Sequence, residues 1–202
     1  MLTTNIIQRV LFVKFQNGVG TGFTLEKEGK QYLISAKHVF SGLTKTDEIE
    51  IYNDGSWKKL QVTPIFCSND ELDIIAFDIG DKKITPIHPI EIGMDGIQFA
   101  EDAYFLGFPY GLSTDSGEIN NKYPFPFVKK CIISSINFNN KQIYLDGHNN
   151  RGFSGGPVVV MRPGNKIKVI GVVSGFLGDS VNSGENSGIF YANSISAIYD
   201  EI

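Results

Sequence analysis

Short runs of apolar or β-branched residues recur from one end of the chain to the other. This repetition limits the fold more than any other feature. The runs lie at 7–15, 22–25, 32–35, 48–52, 73–78, 103–107, 130–136, 142–145, 157–161, 168–174 and 188–191. Gly, Asn and Pro separate them, and no long segment carries a helical period. Strands at such spacing predict an all-β barrel or sandwich. The stretch 81–96, with Pro86, Pro89 and two glycines, reads as a connector. It leaves halves of similar size and strand count, 1–85 and 97–202, on either side of 86–96. The expected architecture is therefore two β-barrels packed together. A short helix is expected over 194–202, capped by Ser194, with Ile195, Ile198 and Tyr199 on one face. The polar, glycine-rich stretch 178–188 is expected to be a mobile surface loop. A second long loop spans 113–126, and the aromatics at its end, from Tyr123 to Phe127, fit either a groove wall or simple packing.

Bulk properties exclude several classes of function. A formal charge of −4 and a pI near 5.4 argue against a nucleic-acid surface. The Lys-Lys pairs at 58–59, 82–83 and 129–130 are dispersed and read as solvated. No run approaches the length of a helical membrane span. Residues 1–13 lack the pattern of a secretory signal, so a cytoplasmic protein without membrane contact is expected. Cys67 and Cys131 form neither a disulfide framework nor a zinc site, and both fit reduced thiols. No metal and no organic cofactor are implied.

The chemistry gathers at three places. The first is Gly152-Phe153-Ser154-Gly155-Gly156-Pro157, followed by Val158-Val159-Val160. Glycines on both sides leave a serine hydroxyl uncrowded and let backbone N–H groups converge on an anion. A buried strand behind it would hold the turn rigidly. The plain alternative is a glycine-rich turn that merely precedes a strand. The second place is Ser35-Ala36-Lys37-His38-Val39, after a hairpin built from 20–25 and 31–34. The third is Leu72-Asp73-Ile74-Ile75-Ala76-Phe77, an aspartate entering an apolar strand. A serine hydroxyl is a poor nucleophile until a base takes its proton, and histidine is the side chain suited to that near neutrality. A carboxylate behind the imidazole holds the correct nitrogen toward the serine.

These motifs, in the order His, Asp, Ser, resemble those of the trypsin-like serine peptidases. The likeness is closer to bacterial HtrA-type protease domains than to digestive enzymes. It covers nearly the whole chain and includes Gly20-Thr21-Gly22-Phe23, Gly107-Phe108-Pro109-Tyr110-Gly111 and Cys131-Ile132-Ile133-Ser134. The resemblance implies two six-stranded antiparallel barrels. It implies a serine endopeptidase that hydrolyses proteins or peptides through an acyl-enzyme. Ser154 would be the nucleophile, His38 the general base and Asp73 its orienter. The backbone N–H groups of Gly152 and Ser154 would form the oxyanion hole. By position, His148 and Asn149 would line the base of the substrate pocket, and Ser174, Gly175, Phe176 and Gly188 its walls. Ser174 would also hydrogen-bond the aspartate.

The chain departs from the family in two respects. Digestive members carry an aspartate before the nucleophile, where this chain has Phe153, which is expected to pack into an apolar pocket and set the turn. HtrA-type members usually continue into a C-terminal peptide-binding domain, for which this chain ends too soon. No aspartate sits where a preference for basic residues would need one. Phe176 could narrow the pocket toward small or medium apolar side chains, and His148 could instead attract an acidic one. His148 is weighed as a base and set aside in favour of His38, while His88 reads as structural or exposed. Asp70 and Asp78 read as solvated. The glycines at 18, 20 and 22 fit a strand passing close to other backbone, since no helix or Walker lysine follows them. The alternative functions are a non-catalytic binding module on a protease scaffold and a latent domain switched on by a protein partner.

Overall fold

The computed structural model describes residues 4–44, 47–179 and 185–202. After a single helical turn, α1 (Thr4–Ile7), six strands make the first barrel. They are β1 (Val10–Phe15), β2 (Gly18–Lys27), β3 (Lys30–Ser35), β4 (Asp47–Asn53), β5 (Ser56–Phe66) and β6 (Ile75–Asp78). Their order is β1-β2-β3-β6-β5-β4, and the barrel closes where Val13 and Lys14 of β1 pair with Ile51 and Glu50 of β4. A two-residue strand, β7 (Glu91–Ile92), follows in the connector. The second barrel comprises β8 (Asp102–Gly107), β9 (Phe127–Asn137), β10 (Gln142–Asp146), β11 (Pro157–Arg162), β12 (Lys166–Gly178) and β13 (Asn186–Ser194). Its order is β11-β8-β9-β10-β13-β12. Pairing of β11 with β12 closes it, and β7 adds in parallel to β12. The chain ends with α2 (Ser196–Tyr199).

Alternating side chains sort these strands into three apolar layers. Leu11, Val13 and Phe15 of β1 point into the first barrel with Leu33, Ile49, Ile51, Leu60, Val62 and Phe77. Phe105, Ile133, Leu145, Val158, Val160 and Phe190 fill the second. Between the barrels, Phe12 of β1 meets Phe108 at a centroid distance of 4.9 Å, and Leu106, Val159 and Val172 join them. The valine run of β11 is thus apolar throughout because both of its faces are covered, Val158 and Val160 within the barrel and Val159 at the junction.

Several sequence expectations shift. Strand β5 escapes the pattern of apolar runs, because only Leu60 and Val62 of its eleven residues are buried and Pro64 interrupts it. The aspartate stretch begins its strand at Ile75, which leaves Asp73 ahead of β6. Ser194 belongs to β13 and caps nothing, and Ile195 precedes the single turn of α2. Of the loop expected at 178–188, residues 180–184 lie outside the described residues. Gly178 closes β12, and Asn186, Ser187 and Gly188 open β13. The loop at 113–126 is docked rather than free. Its Lys122 pairs with Asp54, and Asn53 donates to the Asn121 carbonyl, which ties the loop to the β4–β5 turn. His88 lends its carbonyl to the fully buried Arg9, whose guanidinium also meets Glu26 and the Thr24 carbonyl.

Candidate active site

The three chemical motifs meet along the seam between the barrels. His38 sits in a short 3-10 turn (Lys37–Phe40) directly after β3. Val39 and Phe40 of that turn are buried in the first barrel, where the Phe40 ring meets the edge of Phe77 at 4.8 Å. The imidazole itself stays half exposed. Asp73 lies between Leu72 and Ile74, both buried, which anchor the segment on either side, while the carboxylate faces His38 and Ser174. Asp73 Oδ2 lies 2.6 Å from His38 Nδ1, and Oδ1 accepts the His38 backbone N–H at 2.8 Å. Ser174 Oγ donates to the same Oδ2 at 2.5 Å. Burial pushes the Asp73 carboxyl up, but the hydrogen bond and charge of His38, with the bond from Ser174, outweigh it and hold the group below the usual carboxylate range.

Ser154 arrives from the second barrel on the turn before β11. Its hydroxyl donates to the Ser174 carbonyl at 3.3 Å. Ser174 therefore touches both Asp73, through its hydroxyl, and Ser154, through its carbonyl. The turn itself is fixed by backbone contacts. Gly155 N–H donates to Val173 O at 2.8 Å, and Val173 N–H donates back to Gly156 O at 2.9 Å. Gly152 and Gly155 have φ of +102° and +85°, a region that suits glycine.

Every carbonyl from 148 to 154 accepts a hydrogen bond. Lys129 Nζ donates to His148 O, Asn186 Nδ2 to Asn149 O, and Phe153 N–H to Asn150 O. Tyr110 N–H holds Arg151 O at 2.7 Å, and Thr21 Oγ1 holds Gly152 O at 2.7 Å. Gly156 N–H takes Phe153 O, and Thr21 N–H takes Ser154 O, both at 2.8 Å. In a trans peptide the N–H points opposite to the C=O. Holding Arg151 O against Tyr110 therefore turns the Gly152 N–H away from Tyr110. Among the described residues, the N–H groups of Gly152 and Ser154 donate to no protein acceptor.

Phe153 is fully buried and meets the Phe105 ring edge-on at 4.7 Å, as its apolar character suggests. Phe153→Ala should lower stability by about 3–5 kcal/mol and reduce turnover, as measured by denaturant unfolding and peptide hydrolysis. A variant that keeps full turnover would show that the ring does not set the turn. Lys129 lies over the Phe105 and Phe153 rings, and desolvation lowers its pKa.

The expected pocket residues all come from the second barrel, where Gly147 N–H donates to Gly188 O and Asn186 Nδ2 to Asn149 O. Asn149 is buried, and its Oδ1 has no hydrogen-bond partner among the described residues. His148 is exposed, and Phe176 is 38% exposed. A Cβ on Gly175 would come within 2.9 Å of the Tyr191 hydroxyl, so a side chain there would have to displace that ring. Gly188 has φ of +84° at the start of β13. Beyond Val172, where β11 stops pairing, residues Ser174 to Leu177 have, among the described residues, β13 on one side and no strand on the other. Asp70 lends its carbonyl to Lys37, and Asp78 caps the Gly80 N–H. The thiols of Cys67 and Cys131 are buried and unpaired, and burial with the charges of Asp102 and Asp146 pushes Cys131 up to about 12. It is therefore protonated and unreactive near neutrality.

Sequence reasoning missed Thr21, Ser35, Tyr110 and Lys129 as parts of this region. Thr21 and Tyr110 lie inside recognised motifs, but their backbone atoms do much of the holding, and backbone contacts leave no side-chain signature. The glycines did leave one. A Cβ on Gly18 would stand 2.1 Å from Val39 O and one on Gly20 3.0 Å from Ser154 O, so the close approach expected there is present.

The family model described as a trypsin-like peptidase domain matches residues 20–172. A search of the curated proteins finds no match by sequence. Among solved structures, the serine endoprotease from Yersinia pestis is similar, with a TM-score of 0.66 and 18% identity over 98% of this chain and 62% of that one. The HtrA-type protease AlgW with a tripeptide gives 0.66 and 22%, over 98% and 60% of the two chains. The Rv3671c protease in an inactive form gives 0.65 and 14%, over 98% and 89%. The chain thus spans about three fifths of the length of the Yersinia and AlgW proteins.

Proposed function

The chain belongs to the trypsin-like peptidase family, and from that premise we propose that it is a serine endopeptidase that cleaves proteins through an acyl-enzyme. The observation that carries the proposal is the hydrogen-bonded set of His38, Asp73 and Ser174 beside a serine turn whose Gly152 and Ser154 N–H groups donate to no protein acceptor among the described residues. In this reading His38 takes the proton of Ser154 as its oxygen attacks the scissile carbonyl. The imidazolium then protonates the leaving amine. Water attacks the resulting ester by the same route, and Ser154 is regenerated. Asp73 holds the Nδ1 proton and stabilises the imidazolium. The unoccupied N–H groups of Gly152 and Ser154 receive the negative charge that develops on the carbonyl oxygen.

The one-sided edge from Ser174 to Leu177 suits an extended peptide, which would pair with it as an added strand. His148, Asn149, Gly175, Phe176 and Gly188 would then surround the side chain before the scissile bond. Phe176 favours small or medium apolar side chains there. A second reading has its own observation: the Ser154 hydroxyl rests on the Ser174 carbonyl. In that reading a protein partner completes a latent site.

The test is labelling with a fluorophosphonate probe, with Ser154→Ala as control. Labelling of the native protein that is lost in the variant supports the proposal. Labelling that appears only with a protein partner supports the latent reading. Equal labelling of both proteins would remove Ser154 from the chemistry.

A further inference from the structure

Thr21 is fully buried on β2 of the first barrel, yet its polar atoms serve the serine turn of the second. Its N–H donates to Ser154 O at 2.8 Å. Its hydroxyl donates to Gly152 O at 2.7 Å and accepts the Phe108 N–H at 3.1 Å. Its carbonyl accepts from Ser35 Oγ at 2.6 Å, which fixes Thr21 within its own barrel. The surrounding sequence makes room for this hydroxyl. A Cβ on Gly107 would stand 2.6 Å from Thr21 Oγ1 and 2.8 Å from the Phe153 ring.

The single oxygen of that hydroxyl sits between two segments. One is the stretch from Phe108 to Tyr110, whose Tyr110 N–H holds Arg151 O. The other is the Gly152–Phe153 peptide, which lies between the two amides that face the reacting oxygen. The hydroxyl fixes this peptide directly, and it fixes the Arg151–Gly152 peptide through Phe108 and Tyr110. Rotation of either plane would move the Gly152 N–H. Removing the hydroxyl would also leave the buried Phe108 N–H without its acceptor.

We infer that Thr21 is a positioning residue for the oxyanion site, in which its side-chain hydroxyl sets the direction of the Gly152 N–H from the opposite barrel. The inference rests on the peptidase reading of the same site. Thr21 does not touch substrate, so its contribution is felt where charge develops on the carbonyl oxygen. A peptide in its ground state is held chiefly by the β12 edge and is little affected.

Thr21→Val, which keeps the shape and loses the hydroxyl, is compared with Thr21→Ser, which keeps the hydroxyl. The readouts are kcat and KM on a peptide, the inhibition constant of a peptide boronic acid, and fluorophosphonate labelling of each protein. The boronic acid forms a tetrahedral adduct on Ser154 and places an oxygen against the Gly152 and Ser154 amides. The expected result for Thr21→Val is a fall in kcat of at least about tenfold, short of the hundredfold or more that loss of a donor itself costs. KM should be nearly unchanged, and boronate affinity should weaken in parallel with kcat. Thr21→Ser should restore both. A Thr21→Val protein that melts earlier but keeps its kcat and boronate affinity would overturn the inference while the native protein still labels. A native protein that never labels would overturn the peptidase reading and this inference together.

Discussion

Replacing His38 with Ala is expected to lower kcat about a million-fold, close to the full worth of the nucleophile and base acting as a unit. In the proposed mechanism the imidazole takes the Ser154 proton, and the contact of Nδ1 with Asp73 leaves Nε2 for that task. Replacing Asp73 with Asn should cost less, about ten-thousand-fold, because the base remains but its tautomer is no longer enforced. Peptide hydrolysis at saturating substrate measures both. Asp73 makes a further test available through pH. Folding lowers its pKa, so its hydrogen bonds stabilise the native state fully above the unfolded carboxyl value of about 3.9. That contribution is lost as the pH falls through the lower folded value. The native protein should therefore lose stability over this acid window by a margin that Asp73→Asn does not show. If His38→Ala retained more than about a hundredth of native kcat, where general-base help is worth some hundredfold or more, another base would have to be sought.

The largest expected effect on folding comes from Gly155→Ala. Its φ of +85° already disfavours any other residue, and the added methyl would stand 2.0 Å from Thr21 O, 2.2 Å from Ser35 Oγ and 2.9 Å from Ala36 N. Two of these are backbone atoms in the first barrel and cannot move without opening the seam. The loss should exceed about 4 kcal/mol, the range reserved for disrupted cores and strained backbone. Gly29→Ala is the matched control, because Gly29 has a similar φ of +79° with nothing within 4 Å of the added carbon. It should cost only the backbone preference, about 1–2 kcal/mol. Thermal or denaturant unfolding of the two variants separates crowding from conformation. Equal losses would mean that the seam yields, and that glycine is required at 155 only for its dihedral angle.

The strand pattern made the all-β class legible because each buried strand repeats its apolar residues along the sequence. Strand β5 was hidden for the opposite reason. Its buried residues are two in number, and its pairing with β4 and β6 is carried by backbone groups that any sequence can supply. His38, Asp73 and Ser154 stood out because their side chains are chemically distinctive and lie in short, recognisable settings. The holding of the serine turn did not, since it depends on carbonyls and amides of Thr21, Tyr110 and Val173. Phe153 was readable as a packed ring from its polarity alone. The docking of the loop at 113–126 required Asn53 and Asp54 to lie opposite Asn121 and Lys122, a proximity between distant positions that no local pattern encodes.

The double burial of β11 bears on how the protein breathes. Local opening is easiest where few apolar contacts must be given up. Val158 and Val160 are locked in one core and Val159 in another, so this strand cannot fray without releasing both. Ser154 is carried three residues before this strand. His38, by contrast, stands half exposed on a single short turn. Local opening is therefore expected to reach Ser154 last, because the strand behind it is held in two cores at once.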